Sequence, residues 1–332
     1  MPSLNDLNAN TVSDLTKWIP TIWSLLVYEE AQNRLAWQRY IGDEGSGMPV
    51  ILKREVLNGP GSTIKISQLA NLTGSGVSGE STLQGNEEKL SPRDISVAPE
   101  WYRHAVAETH KANVQVTQDF RNKGRLVLGK WMARKMDDSL WTAAAATGAV
   151  GWEAGTISVV YGGNATSVNT VDSSDTFGVE EIRKAVNKLE ANNIEKIGGE
   201  DGMYVILIHT HQKYNLVKDS EWLSAQREGN VRGADNPIFS NALGQFGGAV
   251  IATTNSCPRA QNANSPVVYY ARAIAMGAEA LCRGLGEDIS WNEEVTDYGF
   301  KRGIATGAAW ADAVMNHKAL VQIVTAATDP TA

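Results

Sequence analysis

The most regular alternation of apolar and polar positions lies between Asn113 and Thr147, a stretch without proline. Apolar residues recur at helical spacing through Val116, Phe120, Val127, Trp131 and Trp141, with Leu128, Met132 and Met136 on a flanking row. Gly148 supplies the stop. At ~1.5 Å per residue the helix is a rod about 45–50 Å long, far beyond the average globular helix. Gly124, Arg134 and Asp138 interrupt the stripe, so it is no coiled-coil seam. A helix of this length with a partial apolar face needs further partners, in its own chain or in neighbouring ones.

Ahead of this rod the pattern changes twice. Trp18, Ile22, Leu25 and Leu26 predict an amphipathic helix, placed from Pro20 to Ile41 because proline favours the first helical turn. Residues 42–100 are dense in glycine, and short strand-like runs alternate with turns: Val50–Val56 and Thr63–Leu69 flank Asn58-Gly59-Pro60-Gly61, and Asp94–Val97 returns as a strand. A glycine-rich polar segment of this kind cannot close a core alone. It is a lid, or an arm that becomes ordered on a partner.

Beyond the rod, Thr156–Tyr161 reads as a strand and Val179–Asn192 as a helix begun at Thr176, with acids in its first turn. Met203–His209 is a run of buried β-formers and Lys213–Glu228 a helix. Gly244–Ala252 and Val267–Met276 read as strands, as do Ile289–Val295, Phe300–Trp310 and Leu320–Thr325. Mixed helices and strands around Phe177–Leu285 predict a compact α+β unit.

Composition narrows the functional classes. At 332 residues and 42% hydrophobic, the chain can bury a sizeable core. No stretch approaches the ~18 apolar residues of a membrane span, and the N-terminus has no basic-then-apolar secretory pattern. The net charge of −7 argues against a dedicated nucleic-acid-binding domain, though not against a protein that surrounds nucleic acid. Cys257 and Cys282 lie far apart and read as buried thiols of a reducing compartment. Ten tryptophans are many for this length. Each one alone reads best as core, but Trp18, Trp23 and Trp37 crowd a short N-terminal arm and are candidates for a subunit interface. Arg121, Lys123, Arg125, Lys130, Arg134 and Lys135 follow one another with no acid between, either as a solvated face or as a surface for acidic arms of neighbours or enclosed nucleic acid.

Two motifs suggest chemistry. Gly74-Ser75-Gly76-Val77-Ser78-Gly79 fits a dinucleotide fingerprint, but Glu80–Leu90 is too polar to be the helix that holds a pyrophosphate, and Glu80 stands where a phosphate-binding lysine belongs. His209-Thr210-His211 ends a strand like a metal-binding pair, yet a catalytic site needs a third ligand that His104, His110 and His317 do not visibly supply. The sequence offers no convincing catalytic residue, cofactor site or metal site.

The order of parts resembles the major capsid proteins of tailed bacteriophages, an HK-type capsid fold shared with encapsulin shells, and within it the Schitoviridae-type podophage capsids. The matching residues are Leu72-Thr73-Gly74-Ser75-Gly76-Val77-Ser78-Gly79, Leu83-Gln84-Gly85-Asn86-Glu87-Glu88 and Arg103-His104-Ala105-Val106. Further on they are Trp131, Asp137-Asp138, Tyr204-Val205, His209, Asn236-Pro237-Ile238-Phe239, Gly244-Gln245-Phe246-Gly247-Gly248 and Asp297-Tyr298-Gly299. The resemblance implies an α+β fold with an N-terminal arm (1–45), an extended β-hairpin loop (46–112) and a peripheral domain with the spine helix (113–177). An axial domain (178–285) and a return to the peripheral domain with a C-terminal tail (286–332) complete it. It further implies a structural, non-enzymatic subunit of an icosahedral virion capsid, assembled in the bacterial cytoplasm as hexamers and pentamers around double-stranded DNA. Portal, a separately supplied scaffolding protein and a decoration protein would be partners. Gly74, Gly76, Gly79, Asn86, Glu87 and Glu88 would lie at subunit interfaces, together with Arg121, Arg125 and Arg134. An encapsulin-like compartment, or an NAD-linked enzyme using Gly74–Gly79, are the alternatives.

Overall fold

The computed structural model describes residues 37–54, 63–69, 72, 74–115, 120–199, 202–228, 243–263 and 266–329. Trp18, Trp23, Asn58–Gly61, Asn236–Phe239 and most of the helix expected from Pro20 lie outside them. The first described residues differ from that expectation: a short 3-10 turn over Gln38–Tyr40 leads into strand β1 (Ile41–Asp43).

The chain continues through β2 (Val50–Arg54), β3 (Ile64–Leu69), β4 (Pro92–Val97) and β5 (Glu100–Thr109) to the helices α1 (His110–Gln115) and α2 (Phe120–Ala144). Then come β6 (Ala149–Val150), β7 (Gly155–Thr156), β8 (Ser158–Tyr161), α3 (Val179–Ala191), β9 (Tyr204–His209), α4 (Thr210–Lys218) and α5 (Ser220–Glu228). The last part holds β10 (Gln245–Phe246), β11 (Ala249–Thr254), β12 (Arg259–Gln261), β13 (Tyr269–Met276), β14 (Leu281–Thr296), β15 (Lys301–Val314) and β16 (Leu320–Ala326).

Two sheets organise these elements. One has five strands in the order β1-β2-β14-β15-β5; the other has seven, β10-β11-β9-β13-β16-β8 with β12 on β13. The seven-stranded sheet is built on β9 and β13. All six residues of β9 are buried, which explains its unbroken run Tyr204-Val205-Ile206-Leu207-Ile208-His209. Helix α3 covers one face with Val179, Ile182, Ala185, Val186 and Leu189 against Ile206, Ile208, Ala273, Ala275, Val321 and Ile323. It starts at Gly178 rather than Thr176: Glu181 accepts from the Gly178 N–H at 3.0 Å and Asp219 from the Val179 N–H at 2.9 Å. The helix expected over Lys213–Glu228 is two, α4 and α5, parted at Asp219, whose carboxylate is taken up by that cap. Strands β8 and β16, from the stretches 113–177 and 286–332, close the far side of the seven-stranded sheet, while β2 and β5, from within 46–112, belong to the five-stranded one.

The opposite face of the seven-stranded sheet shares a core with the end of α2. Trp37, Leu140, Trp141, Ala144, Val205, Leu207, Ile274, Met276 and Leu281 form one cluster. The buried row of α2 is Gly124, Leu128, Met132, Leu140, Trp141 and Ala144, with Asp137 among them. Val127, expected on the inner stripe, is exposed, and Trp131 is only half-buried. The row expected as flanking is the buried one, and it includes Gly124 and Ala144, residues small enough to be missed in an apolar count.

Across the five-stranded sheet, Arg283 on β14 and Asp312 on β15 are direct cross-strand neighbours. Their bidentate pair (Nε–Oδ1 2.7 Å, Nη2–Oδ2 2.9 Å) is buried, and the same Nη2 donates to the Met136 carbonyl of α2. A buried pair is favourable only when its remaining hydrogen bonds are made, and here a third donor bond is.

His209 and His211 lie at the junction of β9 and α4. His209 caps α4: its Nδ1 accepts from the His211 N–H at 3.1 Å while its own N–H donates to Gln212 Oε1 at 2.9 Å. Burial, with His211 and Arg259 nearby, pushes the His209 imidazole down to about 4.

Asp312→Ala, which leaves Arg283 buried without its counter-charge, should cost about 3–5 kcal/mol in urea denaturation of the unassembled chain, whereas Arg283→Met/Asp312→Leu should cost far less. His209 binds fewer protons folded than unfolded between pH ~6.5 and about 4, so stability should fall as pH drops through that window. His209→Asn keeps a capping side chain and should flatten that slope in thermal melts.

Candidate assembly surfaces

Strands β3 and β4 pair in register, Ile64 with Val97 through Leu69 with Pro92. The base of this hairpin is anchored. Ile66 and Val97 pack with Ile51, Cys282 and Met315, and Gly284 is bare because a Cβ there would meet Ile64 Cδ1 at 3.1 Å. Burial pushes the Cys282 thiol up to about 12 and raises that of Cys257 as well, so both behave as inert core groups.

Past the base, local hydrogen bonds shape the described part of the segment joining β3 to β4. The Gly74 N–H donates to Glu88 Oε2 at 2.7 Å, the Gly85 N–H to Glu87 Oε2 at 2.8 Å, and Asn86 Nδ2 to the Thr82 carbonyl at 3.0 Å. Asn86, Glu87 and Glu88 thus shape the loop itself. The glycines at 76, 79 and 85 hold positive φ, which lets so short a segment fold back. Along it Leu69, Leu72, Leu83 and Leu90 are each 60–65% exposed. These four leucines are the candidate surface that sequence reading missed. Leu83 and Leu90 were visible as lone apolar residues in a polar run, a pattern that argued against a helix there and equally signals a strap with no core of its own.

The fingerprint Gly74–Gly79 sits inside this loop. It runs into a turn at Gly79-Glu80 and a second at Gln84-Gly85 before β4, so no helix follows the glycines to hold a pyrophosphate and the NAD-linked reading loses its basis.

The remaining expected interface residues separate. Trp37 is 1% exposed inside the shared core, its ring edge-on to Trp141 at 5.0 Å, and its backbone N–H donates to Asp137 Oδ1 at 3.1 Å. It is therefore not available to a neighbour; its large apolar ring closes the joint beneath α2. Arg125 is paired with Glu293 of β14 in the same chain, so the acid expected from a neighbouring arm is supplied internally. Lys135 lies 5.4 Å over the Tyr102 ring. Arg134 is exposed, and the Arg121 side chain lies outside the described part. The structure thus brings Gly74, Gly76, Gly79, Asn86, Glu87 and Glu88 together on one projecting loop. It separates them from Trp37 and from the basic helix.

Residues 11–318 match the family described as phage capsid protein. The major capsid protein of Pseudomonas phage KPP25 is 25% identical over 338 residues, spanning 90% of this chain and 89% of that protein. The capsid of Ralstonia phage GP4 has the same fold, with a TM-score of 0.75 at 24% identity over 94% of this chain and 96% of its own. So has that of Helicobacter pylori bacteriophage KHP30, at 0.73 and 16%, over 98% and 100%. With a five- and a seven-stranded sheet joined by a long helix, a hairpin whose loop has no core, and a family match over residues 11–318, this chain belongs to the phage capsid protein family.

Proposed function

We propose that this chain is a major capsid protein, the repeated subunit of an icosahedral shell around a double-stranded DNA genome. The seven-stranded unit would gather around the five- and sixfold axes, and the five-stranded sheet with α2 would form the wall between them. The hairpin would lie over an adjacent copy. The observation that carries this is the leucine row on a loop with no core of its own. Burying each leucine against a neighbour is worth ~1.5–3 kcal/mol, enough to offset part of the cost of association only if the loop is an assembly element.

The matched family favours a virion shell over an encapsulin-like compartment. Assembly in the host cytoplasm, with a portal, a separate scaffolding protein and a decoration protein, completes the reading. The DNA would be enclosed without sequence-specific contacts, consistent with the acidic chain.

Electron microscopy and sedimentation of the purified chain, alone and with a co-expressed scaffold, should show rings or closed shells; a chain that stays monomeric at every concentration overturns the proposal. Leu83→Asp/Leu90→Asp should leave the stability of the unassembled chain within about 0.5 kcal/mol of the parent while abolishing shells, because both residues face solvent in the free subunit.

A further inference from the structure

The row of the β3–β4 hairpin that faces the body changes character along its length. Ile64 and Ile66 on β3 pair with Val97 and Ile95 on β4 and pack on the body, where Lys53 Nζ also donates to the Lys65 carbonyl at 2.8 Å. Two residues farther out, on the same face, stand Gln68 and its direct cross-strand partner Arg93. Leu69, one residue on, is already exposed.

Two turns of the body, far apart in sequence, each bring a glutamate to this one rung. In the turn between β6 and β7 the Trp152 N–H donates to the Met315 carbonyl at 3.1 Å, and its ring packs against the cluster of Ile66 and Val97. Beside it the Glu153 carboxylate pairs with Arg93 at 2.7 Å and with Lys318, in the 3-10 turn His317–Ala319, at 2.6 Å. The hydrogen bond from Lys318, with Arg93 and His317 adding positive charge, holds the Glu153 carboxyl below its usual range. In the turn between β13 and β14 the Glu279 carboxylate accepts from Gln68 Nε2, while its own N–H donates to the Met48 carbonyl at 2.9 Å. Both turns hold a residue other than glycine in the left-handed region, Ala154 at φ 47° and Glu279 at φ 54°. Glycine would adopt that backbone more readily, but at 279 it would leave Gln68 without its acceptor.

We propose that Glu153 and Glu279 form a two-point clasp that fixes the angle at which the hairpin leaves the body, so that the loop is aimed before it meets a neighbour. Ion pairs as exposed as these add little to stability, so their effect lies in direction. The apolar contacts inward of the clasp are non-directional and leave the hairpin free to rock unless it is gripped farther out. The consequence for assembly rests on the shell reading above: an aimed loop has less freedom to lose on association.

Spin labels on Ser81→Cys in the loop and Asn187→Cys on α3 report the angle, because both sites are exposed and the native Cys257 and Cys282 are buried. The unassembled parent should give one narrow distance distribution. Glu153→Ala/Gln68→Ala removes both points without altering Ala154 or Glu279. It should widen the distribution by roughly twofold or more, with the melting temperature within about 2 °C of the parent. A distribution as narrow as the parent's overturns the proposal, as does a broad one in the parent. A melting temperature lower by more than about 5 °C also overturns it, since the groups would then be supporting the fold rather than aiming the loop. Where the parent closes shells, the variant should close roughly three- to tenfold fewer, and parental yield despite a widened distribution overturns the aiming role. A parent that forms no shells overturns the shell reading, while the label distances still decide the clasp.

Discussion

The buried guanidinium of Arg283 sets the geometry on which the rest of this subunit depends. It binds Asp312 across the strand pair and the Met136 carbonyl of the helix above, so β14, β15 and α2 are fastened at one point. Each bond fixes what the others need: the carboxylate neutralises a charge that could not otherwise be buried, and the carbonyl satisfies a donor that the carboxylate leaves over. The helix is thereby held at one angle across the sheet. Farther out, Trp291 under Gly129, His104 beside Trp131 and the Arg125–Glu293 pair continue the same seam.

This fastening divides the parts that fold on their own chain from those that do not. The shared core under Trp37 and Trp141 joins the two sheets into one body, with the long helix as its strut. The hairpin loop and the turn between β14 and β15 stand outside it. The loop is shaped by short-range hydrogen bonds and the turn by one such bond and a second from the His110 N–H at the start of α1, while large apolar side chains on both face solvent. Under the proposed function that arrangement would separate folding from association, the projecting elements being buried only against other copies.

The tryptophans show how context overrides a compositional signal. Trp37, Trp141, Trp222 and Trp310 are buried in the chain's own cores, and their indole N–H groups have no acceptor among the described residues. Their value lies in filling volume beneath sheets and helix rather than in polar recognition. The exposed aromatics lie elsewhere, among them Trp101 on β5, Tyr214 on α4, Tyr269 on β13 and Tyr298 in the turn after β14.

Local patterns were enough to locate α3, β9, β13 and the long helix, because a buried strand or an amphipathic helix writes its period into neighbouring residues. The glycine-rich hairpin was legible for the converse reason, as a stretch unable to make a core. What only the tertiary structure decided were relations between distant residues. Strand β5 carries mostly exposed side chains, so its sequence shows no buried face, and it becomes a strand by pairing with β15. That β8 and β16 join the sheet of β9 rather than that of β14, that the inward row of α2 runs through Gly124 and Ala144, and that Arg283 meets Asp312 are likewise set by packing. Side-chain period reports which face of an element is dry; it carries no information about which element lies against it.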